Sequence, residues 1–206
     1  MEAKSELLLG LLVVFGIAVT AQDVASQTQR PSFCGTNDCP SYQLLKKYEN
    51  FEHRHYEETR WVVTPLVQDV FGIEMMKSFR RLFKYITGMN SEGQTINMTV
   101  PVAIDVPLES SSVSSTMSFF VPHEVENPPT PTDPEIHLKK SPEFSAYVRQ
   151  FGGYALGFMY EKHAKALAED LKALGLQFDE TYYVRAGYND PFTLFNRHNE
   201  VWYIAK

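Results

Sequence analysis

The sequence predicts an α+β fold in which a duplicated βαββ unit forms a barrel-like antiparallel sheet flanked by two helices. Three observations carry this. Ile96, Met98, Val100, Val102, Ile104 and Val106 alternate with Asn97, Thr99, Pro101, Ala103 and Asp105, the period-two pattern of a strand with one apolar row. Segments 73–87 and 160–174 instead space their apolar residues three and four apart, the helical period. In each half of the chain one strand-patterned run precedes the helix and two follow it. A duplication of this kind encloses a groove between its halves, where small ligands often bind.

The chain begins with a segment expected to lie outside the fold. Residues 7–19 form an uncharged apolar run of thirteen, too short for an ordinary membrane span and suited to a secretory h-region. Val19-Thr20-Ala21 supplies small residues for cleavage, so residues 1–21 are read as a signal peptide and Gln22 as the mature start of an extracellular protein. The positive n-region is weak, since Lys4 and the amino terminus face Glu2 and Glu6; an uncleaved anchor or a buried strand is the alternative. Residues 22–41 are a polar, extended lead-in holding Pro31, Pro40 and both cysteines, Cys34 and Cys39. In a secreted chain that pair reads as a small disulfide loop, and Gly35 and Asn37 allow its tight reversal. A structural zinc site needs four ligands, and a thioredoxin-type dithiol needs two intervening residues where this chain has four.

A strand is predicted over 51–64, with Phe51, His53 and His55 on one face and Glu52, Arg54 and Tyr56 on the other. Trp61, Val62 and Val63 give its far end β-propensity. The helix over 73–87 has Gly72 as N-cap and Gly88 at the C′ position. Its stripe of Met75, Met76, Phe79, Leu82, Phe83 and Ile86 reads as a core-packing face, with a ligand wall as the alternative. Lys77, Arg80, Arg81 and Lys84 fall on the opposite, solvated side. Pro101 cannot donate to a ladder, so it marks a bulge, an edge or a bend in strand 96–106. A serine-rich turn over 109–115 leads to strand 116–121, and five prolines make 122–134 a semi-rigid connection. Strand 144–151, a Gly152-Gly153 bend and extended chain to Phe158 precede the second helix. That helix presents Ala164, Leu167, Ala168, Leu171 and Leu174 and ends at Gly175. Strands over 182–186 and 200–205 close the chain around the turn Gly187-Tyr188-Asn189-Asp190-Pro191.

The 185 residues beyond the signal segment suit one domain, which buries roughly 70% of its unfolded surface. A net charge of −6 without a basic cluster argues against nucleic acid as a partner and against stable docking on anionic membrane. There is no Gly-x-Ser-x-Gly elbow and no His-Glu-x-x-His helix.

Several stretches resemble the SOUL, or haem-binding protein, family over residues 42–206. They are Tyr48-Glu49-Asn50-Phe51-Glu52 with Arg54 and Tyr56-Glu57; Tyr85-Ile86 with Gly88; and Met98-Thr99-Val100-Pro101-Val102. More specific are Ala186-Gly187-Tyr188-Asn189 and Asn196-Arg197 with Asn199-Glu200-Val201-Trp202. The resemblance implies a distorted antiparallel β-barrel with two helices, and non-covalent binding of haem or another tetrapyrrole in a surface groove without catalysis. The chain has no Cys-x-x-Cys-His, which excludes covalent c-type attachment. The family brings no shared axial-ligand motif, so the candidates are this chain's six histidines, His53, His55, His123, His137, His163 and His198. His53 and His55, two apart on one strand face, are the metal-ligand candidates. The family usually carries an apolar residue at the first position and often arginine at the second, and two half-exposed strand histidines are the alternative. His123, His137 and His163 read as surface residues. The first helix's stripe would wall the macrocycle, with Arg80, Arg81 and Lys84 as candidate partners for its carboxylates or simply a solvated face. Asn97-Met98-Thr99 is a glycosylation sequon, or is present because the fold requires Met98 and Thr99.

The leading reading is therefore a secreted, non-enzymatic tetrapyrrole binder. A small-molecule hydrolase on an effector-binding-type barrel would need a buried carboxylate or tyrosine of shifted pKa in the groove. A protein-interaction module would use the helix faces. Expression in a secreting cell is expected to yield protein in the medium starting near Gln22; an intact Met1 in the membrane fraction would contradict the signal-peptide reading.

Overall fold

The strand, helix, strand, strand order does repeat, preceded by two further strands in the first half and by one in the second. The computed structural model describes residues 30–66, 73–108, 114–190 and 192–206; the expected signal segment, the Gly72 cap, most of the serine-rich turn and Pro191 lie outside these. In the first half β1 (Tyr42–Lys47), β2 (Glu52–Tyr56) and β3 (Thr59–Pro65) precede α1 (Ile73–Ile86), and β4 (Val102–Pro107) and β5 (Thr116–Phe120) follow it. In the second half β6 (His137–Ser141) and β7 (Phe144–Phe151) precede α2 (Gly157–Ala173), then β8 (Tyr182–Gly187) and β9 (Asn199–Ile204). The sheet runs β1-β2-β7-β9-β8-β4-β5-β3-β6. Every strand pair in it is antiparallel. The trio β4-β5-β3 corresponds to β8-β9-β7, and each trio is extended by a strand from the other half, β6 or β2. The halves meet at β4 and β8, in register from Val102↔Gly187 to Pro107↔Tyr182. β1 and β6 end the sheet without pairing to each other, so the expected barrel is a curled half-barrel.

The departures from expectation have local causes. The run over 51–64 is two strands, β2 and β3, separated at Glu57 and Glu58. The run over 96–106 is a strand only from Val102, and the alternation holds from there, since the ladder starts after Pro101, which has no N–H to give. Upstream of it the chain bonds outside the sheet: Ile96 N donates to Ile86 O at 2.8 Å and Val100 N to Asp38 O at 2.9 Å. β1 and β6 went unpredicted because both are sheet edges, exposed along nearly their whole length, so no buried row marks them. α2 begins at Gly157, where Met159 and Tyr160 already donate to Leu156 O. Gly88 ends α1 at φ 108°, a conformation that suits glycine, as expected for a C′ residue.

Both helices cover one face of the sheet. Leu82, Tyr85 and Ile86 of α1 pack with Val62, Met117 and Phe119. Leu167 and Leu171 of α2 pack with Tyr147, Val201 and Tyr203. The other face curls around its own side chains, including Tyr56, Trp61, Val148 and Trp202.

A fully buried ion pair sits on that inner face. Arg54 Nη1 donates to Glu200 Oε1 at 3.0 Å and to Tyr56 Oη at 3.2 Å. Its Nε donates to Glu52 Oε2 at 2.9 Å, and its guanidinium lies 4.0 Å from the Tyr42 ring centre. Glu200 receives three further bonds, from His198 Nε2, Tyr188 Oη and Trp202 Nε1, each 2.8 Å long. Burial alone would push the Glu200 carboxyl up, but Arg54 and the donors from His198 and Trp202 outweigh it and hold it down at about 2. Burial pushes the Tyr56 and Tyr188 phenols up, so both stay neutral donors or acceptors.

A carboxyl held below its ordinary 4.5 stabilises the fold above that pH, and the contribution is lost as pH falls toward 2. Glu200→Gln leaves Arg54 buried without its counter-charge and is expected to cost about 3–5 kcal/mol at neutral pH. The variant should also lose the part of the acid-induced decline that falls between these values. Urea unfolding from pH 7 down to pH 2 measures both; a variant as stable as its parent at pH 7 would contradict this role for the pair.

Candidate functional site

α1 carries more apolar surface than the core takes up. Leu82 and Ile86 are buried, while Met75, Met76 and Phe83 are about half exposed. With Phe79, these three form one wall of a cavity of about 820 Å³. The core-packing expectation for this stripe thus holds for one side of it, while the other side lines the cavity. The facing wall is the lead-in to β4 and the strand itself, through Met98, Val100, Val102 and Ile104, with Met117 from β5. Period two explains the selection: Val102 and Ile104 face α1, while Ala103 and Asp105 face the inner side. A third wall comes from Gly187, Tyr188, Asn189, Asp190 and Phe192 at the start of the β8–β9 connection. The volume lies within the range of small-molecule and cofactor sites.

The fourth wall is a cap formed by Phe33, Cys34, Gly35, Thr36 and Asn37. The Cys34–Cys39 disulfide expected from the sequence is present, and both cysteines are buried. Phe33 stacks on His198, with ring centres 3.8 Å apart and planes at 8°, and meets Tyr188 edge-on at 5.0 Å. His198 and Tyr188 are the donors that hold Glu200, so the buried ion pair reaches the cavity wall through them.

The neighbouring connection is tied to itself. His198 N donates to Asn189 Oδ1 at 2.7 Å, and Phe192 N to Asp190 Oδ1 at 2.7 Å. Arg197 Nη1 donates to the carbonyls of Asp190 and Thr193, both at 2.7 Å. Arg30 makes the matching contacts in the cap, donating to Gly35 O at 3.1 Å and to Asn37 O. These two arginines therefore stand on residues that line the cavity. Arg197 also keeps a buried Nε without a hydrogen-bond partner among the described residues.

The residues singled out from the sequence lie elsewhere. His53 and His55 are half buried on β2, between β1 and β7. The His53 ring sits 4.6 Å from that of Tyr147, and burial lowers its pKa. His55 Nδ1 is 3.4 Å from Ser145 Oγ, and its Nε2 is 3.9 Å from Glu143. Neither lines the cavity. Arg80 and Lys84 are exposed on α1, and Arg81 donates to Thr64 Oγ1 at 2.8 Å with Asp133 3.6 Å away. The structure brings none of these three into the cavity either. Asn97 is exposed, while Thr99 is buried and donates to Phe120 O at 2.7 Å, so the fold does use the threonine of the sequon. Sequence reasoning missed Phe33 and Phe192, which line the cavity, and Arg30 and Arg197, which bond to residues that do. Adjacency to Cys34 was the available signal for Phe33, and the Asn196-Arg197 motif for Arg197.

A duplicated, curled antiparallel sheet with a ligand-sized apolar cavity beneath one helix defines an α+β barrel-type binding domain. The chain belongs to the SOUL heme-binding protein family, whose sequence profile matches residues 37–204. Among its relatives, Heme-binding protein 2 of Homo sapiens is 34% identical over 163 residues, covering 76% of this chain and 78% of that protein. Heme-binding protein 1 of Xenopus tropicalis is 32% identical over 158 residues, covering 75% and 83%. Among solved structures, the EcmrR C-terminal domain aligns with a TM-score of 0.55 at 9% identity, covering 80% of this chain and 98% of that one. A hydrolase from Listeria innocua aligns with a TM-score of 0.52 at 9% identity, covering 79% and 94%. At such identities these two show the shared fold alone. The family match starts at residue 37, so most of the cavity's cap, from Phe33 to Thr36, precedes it.

Replacing Cys34 and Cys39 by serine is expected to loosen the cap. The Val100 amide, bonded to Asp38 O at 2.9 Å, should then exchange its hydrogen at least about tenfold faster. Unchanged exchange would show that the non-covalent contacts of Phe33 and Asp38 hold the cap without the disulfide.

Proposed function

We propose that the protein is a secreted, non-enzymatic binder of haem or a related tetrapyrrole, held non-covalently in the cavity beneath α1. The observation that carries this is the cavity of about 820 Å³ whose walls are largely Met, Phe, Val and Ile side chains. A tetrapyrrole is a broad planar apolar body, and removing it from water against such walls is favourable in proportion to the area covered. Met75, Met76, Phe79 and Phe83 form one side of the slot and Met98, Val102 and Ile104 the other. Arg30 and Arg197, bonded to the rim, are the proposed partners for the ring's carboxylates. The names of the relatives, heme-binding proteins 1 and 2, support the same ligand class.

When bound, haem supplies a redox-active iron in a planar macrocycle. Everything else here comes from the chain, which excludes water and orients the ring. Ligation by His53 or His55 would place the ring against β2 and β7; the cavity needs no imidazole from either. The apolar run over 7–19 and the Cys34–Cys39 disulfide support secretion, because disulfides persist in oxidising compartments. Exposed Asn97 fits a glycan acceptor on that route, and peptide-N-glycosidase treatment of secreted material should then lower its mass.

Titration with haem, followed in the Soret band, tests the site. Met76→Glu and Phe83→Glu change half-exposed residues and should weaken binding at least about tenfold by placing a carboxylate against the macrocycle. His53→Ala and His55→Ala should leave affinity and spectrum unchanged. The reverse pattern would move the ligand to β2.

A further inference from the structure

The inner face of the sheet holds a second cavity that the tetrapyrrole reading does not use. Its volume is about 250 Å³, under a third of that beneath α1. Trp61 from β3, Phe144 from β7, Tyr182 from β8 and Trp202 from β9 give it four aromatic walls. Its charged lining groups are Asp105 on β4 and Lys139 on β6.

Asp105 is there because of the same alternation that sends Val102 and Ile104 to the other cavity. Thr116 Oγ1 donates to its Oδ2 at 3.0 Å, which orients the carboxylate. Burial pushes the Asp105 carboxyl up, against the opposing pull of Lys139 and the Thr116 bond. A carboxylate desolvated in this way gains from any cation that enters beside it. Lys139 is an exposed residue on the edge strand and does not override that burial.

We propose that this groove is a second ligand site, for a small organic cation that carries an ammonium group on a compact apolar body. The aromatic walls and Asp105 supply the two features that such a cation needs, π-faces and one negative charge. The volume is too small for a macrocycle and suits a ligand of one ring or a few branched carbons. Lys139 is a competitor at the same carboxylate, so its removal strengthens binding.

The chain holds two tryptophans, and both line this groove, so intrinsic fluorescence reports on it directly. The haem-free full chain is titrated with choline and with 3,3-dimethylbutan-1-ol, which has the same shape without the charge. Choline should change the emission saturably, and the neutral alcohol should bind at least about tenfold more weakly. Asp105→Asn should weaken choline at least about tenfold, and Lys139→Ala, an exposed change outside the core, should tighten it. Neither substitution should alter the haem titration. Equal binding of the two probes, no saturable response to choline, or a Lys139→Ala variant that binds choline more weakly would each overturn the proposal. The test does not involve haem, so its outcome is separate from that of the tetrapyrrole reading.

Discussion

The rest of the molecule is arranged around the ion pair of Arg54 and Glu200, both wholly withdrawn from water. Burying either charge alone is costly, so each fixes where the other must be. The pair joins β2, from the first half, to β9 at the end of the chain, across β7. Arg54 stands opposite Ala146 in the β2–β7 ladder, and Glu200 opposite Gln150 in the β7–β9 ladder. A slip of one residue in β2 would turn Arg54 to the other face and bring His53 or His55 inward without a counter-charge. The placement of β2 beside β7 of the other half is thereby held in one register by electrostatics as well as by packing.

From this pair the structure extends toward two cavities on opposite faces of the same strands. Tyr188 and His198 donate to Glu200 and also receive Phe33, which seats the disulfide cap over the cavity beneath α1. Trp202 donates to Glu200 and lines the inner groove. Along β4 the division is residue by residue, with Val102 and Ile104 on one side and Ala103 and Asp105 on the other. One network of fixed hydrogen bonds therefore positions a wall of each cavity, without contributing a charged side chain to the larger one.

The fold was readable wherever burial imposes a period. Both helices, the alternation from Val102 and the duplicated order are legible because one face of each element is buried. β1 and β6 were not, since Leu44 and Leu45 on one edge and Leu138 on the other stay exposed and leave no rhythm. For the candidate site, the sequence identifies α1's Met and Phe stripe but not how it divides between core and cavity. It also places His53 and His55 correctly on the face opposite Arg54 and Tyr56. That β2 pairs with β7, far along the chain from α1, is a long-range fact that no local pattern carries. The cap was legible as a disulfide loop, but its position over the cavity depends on Phe33 meeting His198, 165 residues later.

Methionine methyl groups offer the most direct measurement of where a tetrapyrrole sits. Of the chain's seven methionines, Met75, Met76, Met98 and Met117 line the cavity beneath α1, while Met89 and Met159 do not. Gallium protoporphyrin is diamagnetic, and its ring current displaces the NMR signals of methyl groups held against the macrocycle. With methyl-labelled protein, the four cavity signals are expected to move on titration and those of Met89 and Met159 to stay in place. Shifts confined to Met89 or Met159, or no methyl shift at saturation, would contradict a tetrapyrrole site between α1 and β4.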